Sequence, residues 1–413
     1  MKKKRLELVS LCVLGLATSA AVAGEKENKF NPLQSAVPSL SIAPDARGGG
    51  MGDVGVATSP DINSQYWNPA KYAHMESHGG FSLSYTPWLR KIVNDIDLVY
   101  LGGYYKLDDQ QALSASFRYF SMGEINLTQA PGPDGQVISD GTCNPYEMSV
   151  DLAYSRKLSE FWSAAVALRF IYSDLTNGMT DDANVTAGKA VAADVAAYYR
   201  KPIELGGEGN KPSYASFGIN VSNIGSKVSY DDGETNQFIP TNMRLGGSFE
   251  YAFDDFNSVA LSVDLNKLLI PTPPKLEKGE NESESDFQKR QSDAWDDYYE
   301  TSTVAGIFKS FTDAPGGGSE ELEEITWSVG AEYSYNKQFL VRAGYFHESE
   351  NKGNRKYWAF GAGFNLSIFQ LNAAYLMSTA QTSPLDQTLR FTLGFDIAGL
   401  KGIMNNSKED EGK

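Results

Sequence analysis

Residues 113–119 read Leu-Ser-Ala-Ser-Phe-Arg-Tyr, so that every second side chain is apolar or aromatic and the others are small or charged. A period of two residues places alternate side chains on opposite faces of an extended strand. The same alternation recurs over residues 148–155, 259–266 and 327–334. The chain is therefore predicted to be all-β, with one apolar and one polar face on each strand.

Strand length and loop length favour an antiparallel transmembrane barrel over a soluble β-sandwich. The alternating segments have about 9–13 residues, whereas a tilted strand needs about 9–11 residues to cross a bilayer and soluble strands have about 5–6. Long connections alternate with tight ones, as long outer loops alternate with short periplasmic turns in outer-membrane barrels. In such a barrel the apolar face contacts lipid, while charged residues such as Arg118, Asp264 and Glu332 face the lumen.

The pattern predicts about fourteen strands, and an even number returns both termini to the periplasmic side. Closure into a barrel pairs every backbone N–H and C=O group within lipid, which an open sheet does not achieve. The predicted strands are residues 79–88, 95–106, 111–123, 146–156, 161–173, 187–200, 213–223, 240–251, 257–269, 324–334, 338–348, 355–364, 368–378 and 387–398. Because this many strands enclose a lumen too wide for side chains alone to fill, another segment is expected inside it.

The first residues have the features of a cleaved signal peptide. Four basic residues at 2–5 precede an apolar stretch over residues 8–22, and Ala21-Val22-Ala23 has the form of a cleavage site. Residues 1–23 are therefore predicted to be removed, which leaves Gly24 as the mature N-terminus. A retained membrane anchor is the alternative. No later stretch reaches the ~20 apolar residues of a membrane-spanning helix.

The composition argues against several classes of function. A formal net charge of −16 disfavours nucleic acid as a partner. Cys143 is the one cysteine after the signal peptide, so no internal disulfide is expected. The histidines His74, His78 and His347 do not form a H-E-x-x-H motif, and G-x-S-x-G is absent. We therefore predict no catalytic residues, no metal and no cofactor.

The 22 tyrosines, 21 phenylalanines and 39 glycines suit the aromatic girdles and curved strands of a barrel.

Residues 24–78 do not have the pattern of a strand. They are rich in glycine and turn formers, which permit close backbone packing and positive φ angles. No phosphate-binding P-loop consensus is present. We predict that this segment is a plug inside a barrel formed by residues 79–398. The residues assigned to the plug motif are Gly48, Gly49, Gly50, Gly52, Asn68, Pro69 and Ala70.

The glycine-rich segment that ends in Asn68-Pro69-Ala70, followed by fourteen strands, resembles the FadL family of outer-membrane transporters. In that family this segment is a hatch that plugs the lumen. Three longer strings resemble the PorV (LptO) family, the FadL-like barrels of the type IX secretion system of Bacteroidetes. They are residues 39–47 (Ser-Leu-Ser-Ile-Ala-Pro-Asp-Ala-Arg), residues 51–58 (Met-Gly-Asp-Val-Gly-Val-Ala-Thr) and residues 85–90 (Tyr-Thr-Pro-Trp-Leu-Arg). The resemblance covers about residues 31–397 and implies a multi-pass β-barrel in the cell outer membrane.

The resemblance to PorV implies a binding and shuttle protein that performs no chemistry itself. Such proteins bind the C-terminal signal domain of cargo, collect the cargo from the translocon barrel and carry it to the cell-surface attachment complex. There a sortase removes the domain and links the cargo to lipopolysaccharide. The implied partners are the translocon, cargo signal domains, the sortase and attachment-complex proteins, and outer-membrane lipid.

The wider resemblance to FadL implies the alternative function, an outer-membrane transporter of long-chain fatty acids or other hydrophobic compounds. That function needs an apolar pocket and a lateral opening in the wall. A bulge or a glycine kink could provide the opening, and Gly102-Gly103 and Gly246-Gly247 are the candidates. The same glycines could instead serve to curve the strands.

The connection over residues 270–323 is the candidate partner-binding loop. Its residues 283–299 are predicted to form a short helix, and exposed aromatic residues on loops often anchor partners. The residues assigned to this surface are Phe287, Trp295, Tyr298, Tyr299, Phe308 and Phe311. A solvated loop cap is the alternative. A charged tail, residues 399–413, departs from a barrel that ends on an aromatic residue, and Phe395 is our candidate for the insertion signal.

Overall fold

The computed structural model describes residues 30–129, 138–177, 185–205, 212–366, 368–380 and 383–397. The predicted signal peptide, residues 24–29 of the predicted plug and the tail over residues 399–413 lie outside these ranges.

Fourteen antiparallel strands close into one barrel, as predicted. The described residues form sixteen strands in all, two of which lie outside the barrel. They are β1 Gly79–Pro87, β2 Ile96–Lys106, β3 Gln111–Met122, β4 Ile125–Gln129, β5 Ile138–Cys143, β6 Tyr146–Lys157, β7 Trp162–Asp174, β8 Gly188–Ile203, β9 Ser213–Gly225, β10 Asn242–Ala252, β11 Asn257–Leu268, β12 Thr326–Tyr335, β13 Phe339–His347, β14 Lys356–Asn365, β15 Phe369–Ser378 and β16 Leu389–Asp396. Strands β4 and β5 form a separate two-stranded sheet that was not predicted, so β3 pairs with β6 in the barrel, and β16 closes the barrel against β1.

The two faces of each strand have the polarity expected of a membrane barrel. In β3, Leu113 points outward with 48% of its surface exposed, whereas Arg118 points inward and is 3% exposed. Serines 114 and 116 share the inward face with Arg118. A soluble protein would bury the apolar face instead, so the apolar outside and polar inside match a lipid-facing wall around a polar lumen.

The two ends of the barrel carry different connections. At one end the chain passes between β2 and β3, β6 and β7, β8 and β9, β10 and β11, β12 and β13, and β14 and β15. At the other end it passes between β1 and β2, β3 and β6, β7 and β8, β9 and β10, β11 and β12, β13 and β14, and β15 and β16. The turn between β12 and β13 is tight because Asn336 and Lys337 both adopt positive φ angles, 53° and 55°, as in type I′ hairpins. Since long loops of outer-membrane barrels face outward, we name the long-loop end the outer end and the other the inner end.

Helices occur before the barrel and in the longest outer connection, residues 269–325, named here the long outer loop. They are α1 Ala46–Gly50, α2 Ser64–Trp67, α3 Glu284–Glu300, α4 Thr303–Lys309 and α5 Gly318–Glu323, together with 3₁₀ helices at Pro38–Ser41 and Pro69–His74. Helix α3 confirms the predicted short helix, and the Ser283 side chain caps it by accepting from the N–H of Asp286. Within the described residues, no helix has the length and apolarity needed to span a membrane.

Residues 31–78, named here the lumen segment, run through the barrel from its outer end to its inner end. The N–H of Asn31 donates to the carbonyl of Asn351 in an outer loop at 2.8 Å. At the other end, Glu76 lies 3.4 Å from the ammonium group of Lys337 in an inner turn. The start of β1 and the end of β16 both lie at the inner end, as the even strand count predicts. Asn31, near the start of the described chain, lies at the outer end. The prediction that both termini lie on the periplasmic side therefore holds for the two ends of the barrel but not for the start of the described chain.

Candidate functional site

The lumen segment is held by charged side chains of the barrel wall. Arg47 lies in α1, and its guanidinium donates to Glu332 of β12 at 2.8 and 3.0 Å and to Asp61 at 2.8 Å. Arg342 of the neighbouring strand also donates to Glu332, at 2.6 Å. These charges of Arg47, Glu332 and Arg342 are therefore paired, which offsets the cost of removing them from water.

Backbone groups of the lumen segment are bound by the wall as well. The carboxylate of Asp264 accepts from the N–H groups of Gly55 and Val56 at 2.7 and 2.9 Å. Arg118 donates to the carbonyls of Ser39 and Ile42, the latter at 2.9 Å. Because a buried backbone group without a partner costs free energy, these inward-facing residues let irregular chain lie inside the barrel.

The glycines assigned to the plug motif lie where the segment packs most closely. A Cβ atom on Gly48 would overlap the ring of Trp67, and one on Gly49 would overlap the side chain of Arg390. Gly50 packs against the backbone of Gly361 in β14. A Cβ atom on Gly50 would lie 3.0 Å from the Cα atom of Gly361. Gly52 has a φ of 75° and packs against the backbone of β13. The structure therefore brings these four positions together against the wall on one side and against Trp67 on the other.

Asn68, Pro69 and Ala70 form the start of a 3₁₀ helix near the inner end. The side chain of Asn68 accepts from the N–H of Ala70 at 3.0 Å and donates to the carbonyls of Val56 and Ala197. Pro69 occupies the first helical position, where an N–H is not needed. The carbonyl of Ala70 accepts from the hydroxyl of Ser163 in β7 at 2.7 Å. This motif thus links two parts of the lumen segment to two strands of the wall.

Five glycines of the wall, which were not assigned to the plug motif from the sequence, allow the lumen segment to pack closely against the strands. A Cβ on any of them would meet backbone or side-chain atoms of residues 50–56 at less than normal contact distance. They are Gly218, Gly246, Gly330, Gly344 and Gly361. Gly218, Gly246 and Gly330 have a signal in the sequence, because the flanking positions on the inward face of each strand carry polar side chains.

The aromatic residues assigned to the long outer loop fall into two groups. Tyr298 is 8% exposed and packs edge-on against Phe238 of another outer loop, with ring centroids 5.5 Å apart. Trp295 and Tyr299 stack on each other at 5.6 Å and pack beside this pair. Phe287 is half-buried under the guanidinium of Arg290. Trp295, Tyr298 and Tyr299 therefore fold the loop onto the rim of the barrel, whereas Phe287 contacts only its own helix in this set.

Two other aromatics of the loop face solvent. Phe308 in α4 is 73% exposed, and Phe311 beyond it is 44% exposed. Val304 and Leu322 are exposed apolar residues of the same loop. We name these four side chains the exposed apolar residues of the long outer loop.

Buried lysines fasten the base of the long outer loop. The ammonium of Lys267 in β11 contacts Glu321 at 3.0 Å and Glu324 at 2.7 Å. Lys352 in the β13–β14 loop contacts Glu320 at 2.6 Å and Glu324 at 3.0 Å. Since Glu324 is shared by both lysines and is buried, helix α5 is held against strand β11 and one neighbouring loop.

The family model described as "Type IX secretion system protein PorV" matches residues 25–275, more than half of the chain. The chain belongs to the PorV family. It is therefore an outer-membrane β-barrel component of the type IX secretion system. A search of curated proteins found no match.

Among solved structures, this PorV family member is similar to the Pseudomonas putida toluene transporter TodX. The identity is 11%, with 84% of this chain and 96% of that chain covered and a TM-score of 0.47. It is also similar to a Pseudomonas aeruginosa FadL homologue at 11% identity, with 89% and 99% covered and a TM-score of 0.41.

The wall of this PorV family barrel has no opening at the glycine pairs proposed for one. Strand pairing is continuous through Gly102-Gly103 and through Gly246-Gly247. A register shift does occur between β8 and β9. There Asn223 has a φ of 60°, its N–H donates to Asp194 at 2.8 Å and its side-chain amide donates to the carbonyl of Pro240 at 2.9 Å. The irregular backbone is therefore satisfied from inside the barrel.

Two cavities of the described residues have mostly polar linings. An internal cavity near the outer half of the lumen is lined by Tyr100, Arg118, Asp151 and Arg169, among others. An open cleft of about 870 Å³ lies between α3 and the β9–β10 loop, with Lys227 in its lining. Neither matches the apolar pocket that a fatty-acid transporter needs.

The histidines and the cysteine of this PorV family member lie apart from one another. His74 packs edge-on against the ring of Tyr198. His347 stacks on Trp327 in the wall. Cys143 is buried at the end of β5. Over the described parts of the chain, no three His, Cys, Asp or Glu side chains are grouped as a metal site.

Proposed function

We propose that this outer-membrane component of the type IX system binds the C-terminal signal domain of cargo proteins. It collects the cargo from the translocon barrel and shuttles it to the surface attachment complex, where a sortase acts on the cargo. The protein itself supplies binding surface and no chemistry in this scheme.

The observation that carries the proposal is the exposure of large apolar side chains on the long outer loop. Phe308 and Phe311 expose much of their rings to solvent at the end of the barrel that faces outward. Exposed aromatics bind partners by burying apolar area, and a few such residues supply most of the free energy of binding. The lumen segment occupies the barrel interior with paired charges, which supports a function performed at the outer surface.

Replacement of Phe308 and Phe311 by Ser tests the proposal. Loss of two anchoring rings should weaken binding of the partner by about 2 kcal/mol or more. The expected result is that less cargo reaches the cell surface and less translocon is recovered with the tagged protein, while the barrel is inserted at its normal level. The control is Phe256→Ser, which removes an exposed phenylalanine from an inner turn. Equal cargo display by the two variants would contradict a partner contact at Phe308 and Phe311.

Deletion of about residues 280–318 extends the test to the whole candidate loop. Surface display of cargo should be abolished in cells that still insert the barrel. Normal display in that mutant would rule out the loop as a contact for cargo or translocon.

A transporter of hydrophobic compounds is the second candidate, because the barrel is FadL-like. The polar cavities and the continuous pairing at both glycine pairs do not favour it. Purification of the tagged protein from native membranes separates the two functions. Recovery of a very large barrel and secreted cargo supports the shuttle, whereas bound lipid without protein partners supports the transporter.

A further inference from the structure

The first described residues lie among the outer loops. Asn31 joins two of them, because its N–H donates to the carbonyl of Asn351 at 2.8 Å and its side-chain amide donates to the carbonyl of Pro273 at 3.3 Å. The same amide lies 3.5 Å from the carboxylate of Glu320 in α5. One buried asparagine thus contacts the long outer loop at two places and the β13–β14 loop at a third.

The residues that follow pack against the same loops through apolar side chains. Leu33 joins the cluster of Phe238, Ile270 and Tyr298, which is the cluster that folds α3 onto the rim. The N–H of Ala36 donates to the carbonyl of Phe238 at 2.8 Å. Residues 30–37 therefore contact three outer connections, those over residues 226–241, 269–325 and 348–355.

The other end of the lumen segment lies at the inner end of the barrel. Lys106 at the end of β2 donates to the carbonyl of Met75 at 3.0 Å, and Glu76 pairs with Lys337. The segment therefore crosses the full depth of the barrel before β1 begins at Gly79. In an outer-membrane barrel whose long loops face outward, residues 30–37 lie on the cell-surface side.

We propose that residues 30–37 are an extracellular strap. From this strap the chain crosses the lumen and leaves at the periplasmic end into β1. On the surface, the strap holds the long outer loop against the barrel. This inference goes beyond the proposed function and does not depend on it.

The physical basis of the strap is that the long outer loop needs partners outside itself. Without Leu33, the aromatic cluster beneath α3 would lose one of the apolar side chains that pack against it. The carbonyl of Pro273 would lose the side-chain amide of Asn31 as a donor. Packing of Leu33 in the cluster removes apolar surface from water, so the strap stabilises the loop in its position on the rim.

Cysteine labelling in intact cells tests the location of the strap. Gln34 is an exposed residue of the strap, so Gln34→Cys should react with a membrane-impermeant maleimide on whole cells. Phe308→Cys is the outer control, and Lys337→Cys, in an inner turn with 71% of its side chain exposed, is the inner control. The parent protein sets the background, because its Cys143 is buried.

The expected result is that the variants at 34 and 308 are labelled on intact cells and the variant at 337 only after permeabilisation. Labelling at 34 only after permeabilisation, together with 337, would overturn the extracellular location. Absence of labelling at 34 under both conditions would overturn its exposure.

Proteolysis tests the holding role. Asn31→Ala combined with Leu33→Ala should make the long outer loop several-fold more sensitive to protease added to intact cells. The matched control is Gln34→Ala, which changes an exposed residue of the same strap. Retention of the folded barrel is checked by its heat-modifiable mobility in gels. A folded double variant that is cleaved at the parent rate would overturn the strap.

Discussion

At the residue scale, two neighbouring glycines in β10 show how the wall is matched to the chain inside it. Gly246 faces inward, where a Cβ would overlap Val56 of the lumen segment and the carboxylate of Asp264. Gly247 faces outward, and the nearest atom to its Cβ would be the carbonyl oxygen of Ser216 at 3.9 Å. The first glycine is therefore required by close packing, whereas the second is not.

Substitution of these two glycines should give opposite results. Gly246→Ala overpacks the contact with Val56 and should destabilise the folded barrel by about 1–3 kcal/mol. Gly247→Ala adds a methyl group toward lipid and should change stability by no more than about 0.5 kcal/mol. Unfolding in urea, followed by the heat-modifiable gel shift, measures both variants. Equal destabilisation by the two substitutions would contradict the seating of residues 50–56 on the wall.

At the scale of elements, helix α3 depends on packing rather than on its own sequence. Most of its side chains are polar and exposed, and its last turn carries no basic residue to offset the helix dipole. Its fixed point is Tyr298, which packs against Phe238 and Ile270. The helix therefore persists because one end is anchored to the rim.

Tyr298→Ala should release α3 while leaving the barrel folded. Loss of a buried aromatic side chain costs about 3–5 kcal/mol, and the cost here falls on the loop. Hydrogen–deuterium exchange should rise across residues 284–300 and remain unchanged in the strands. Phe287→Ala is the control, because Phe287 lies on the same helix outside the aromatic cluster. Similar exchange in the two variants would show that the cluster does not anchor the helix.

At the scale of the whole molecule, a fourteen-stranded wall and a single N-terminal segment form one polar interior. Arg47, Asp53 and Asp61 from the segment lie among Glu332, Arg390 and other charges from the wall. Because these charges pair across the boundary between segment and wall, neither part satisfies its buried groups without the other. The lumen segment thus fills the interior of the barrel.

The purified protein should not conduct ions when it is reconstituted in a planar bilayer. Arg47→Ala combined with Asp264→Ala removes contacts from both the segment and the wall, so the segment should loosen and current steps should become frequent. The control is Lys278→Ala, which breaks an exposed ion pair in the long outer loop. Large steady conductance by the parent protein would contradict a lumen closed by residues 31–78.

The strands and their faces could be read from the sequence, because alternation of side chains is a property of each strand alone. All fourteen barrel strands were predicted in this way, although β8 extends to Ile203 rather than residue 200. Tyr298 and Phe308 were both assigned to the candidate partner-binding surface because both are aromatic. Only the folded structure shows that Tyr298 is buried and Phe308 is exposed. The partners of Gly246, the pairing of Arg47 with Glu332 and the position of Asn31 among the outer loops were likewise decided by tertiary structure. Each joins residues far apart in the chain, which come together only when the barrel closes around the lumen segment.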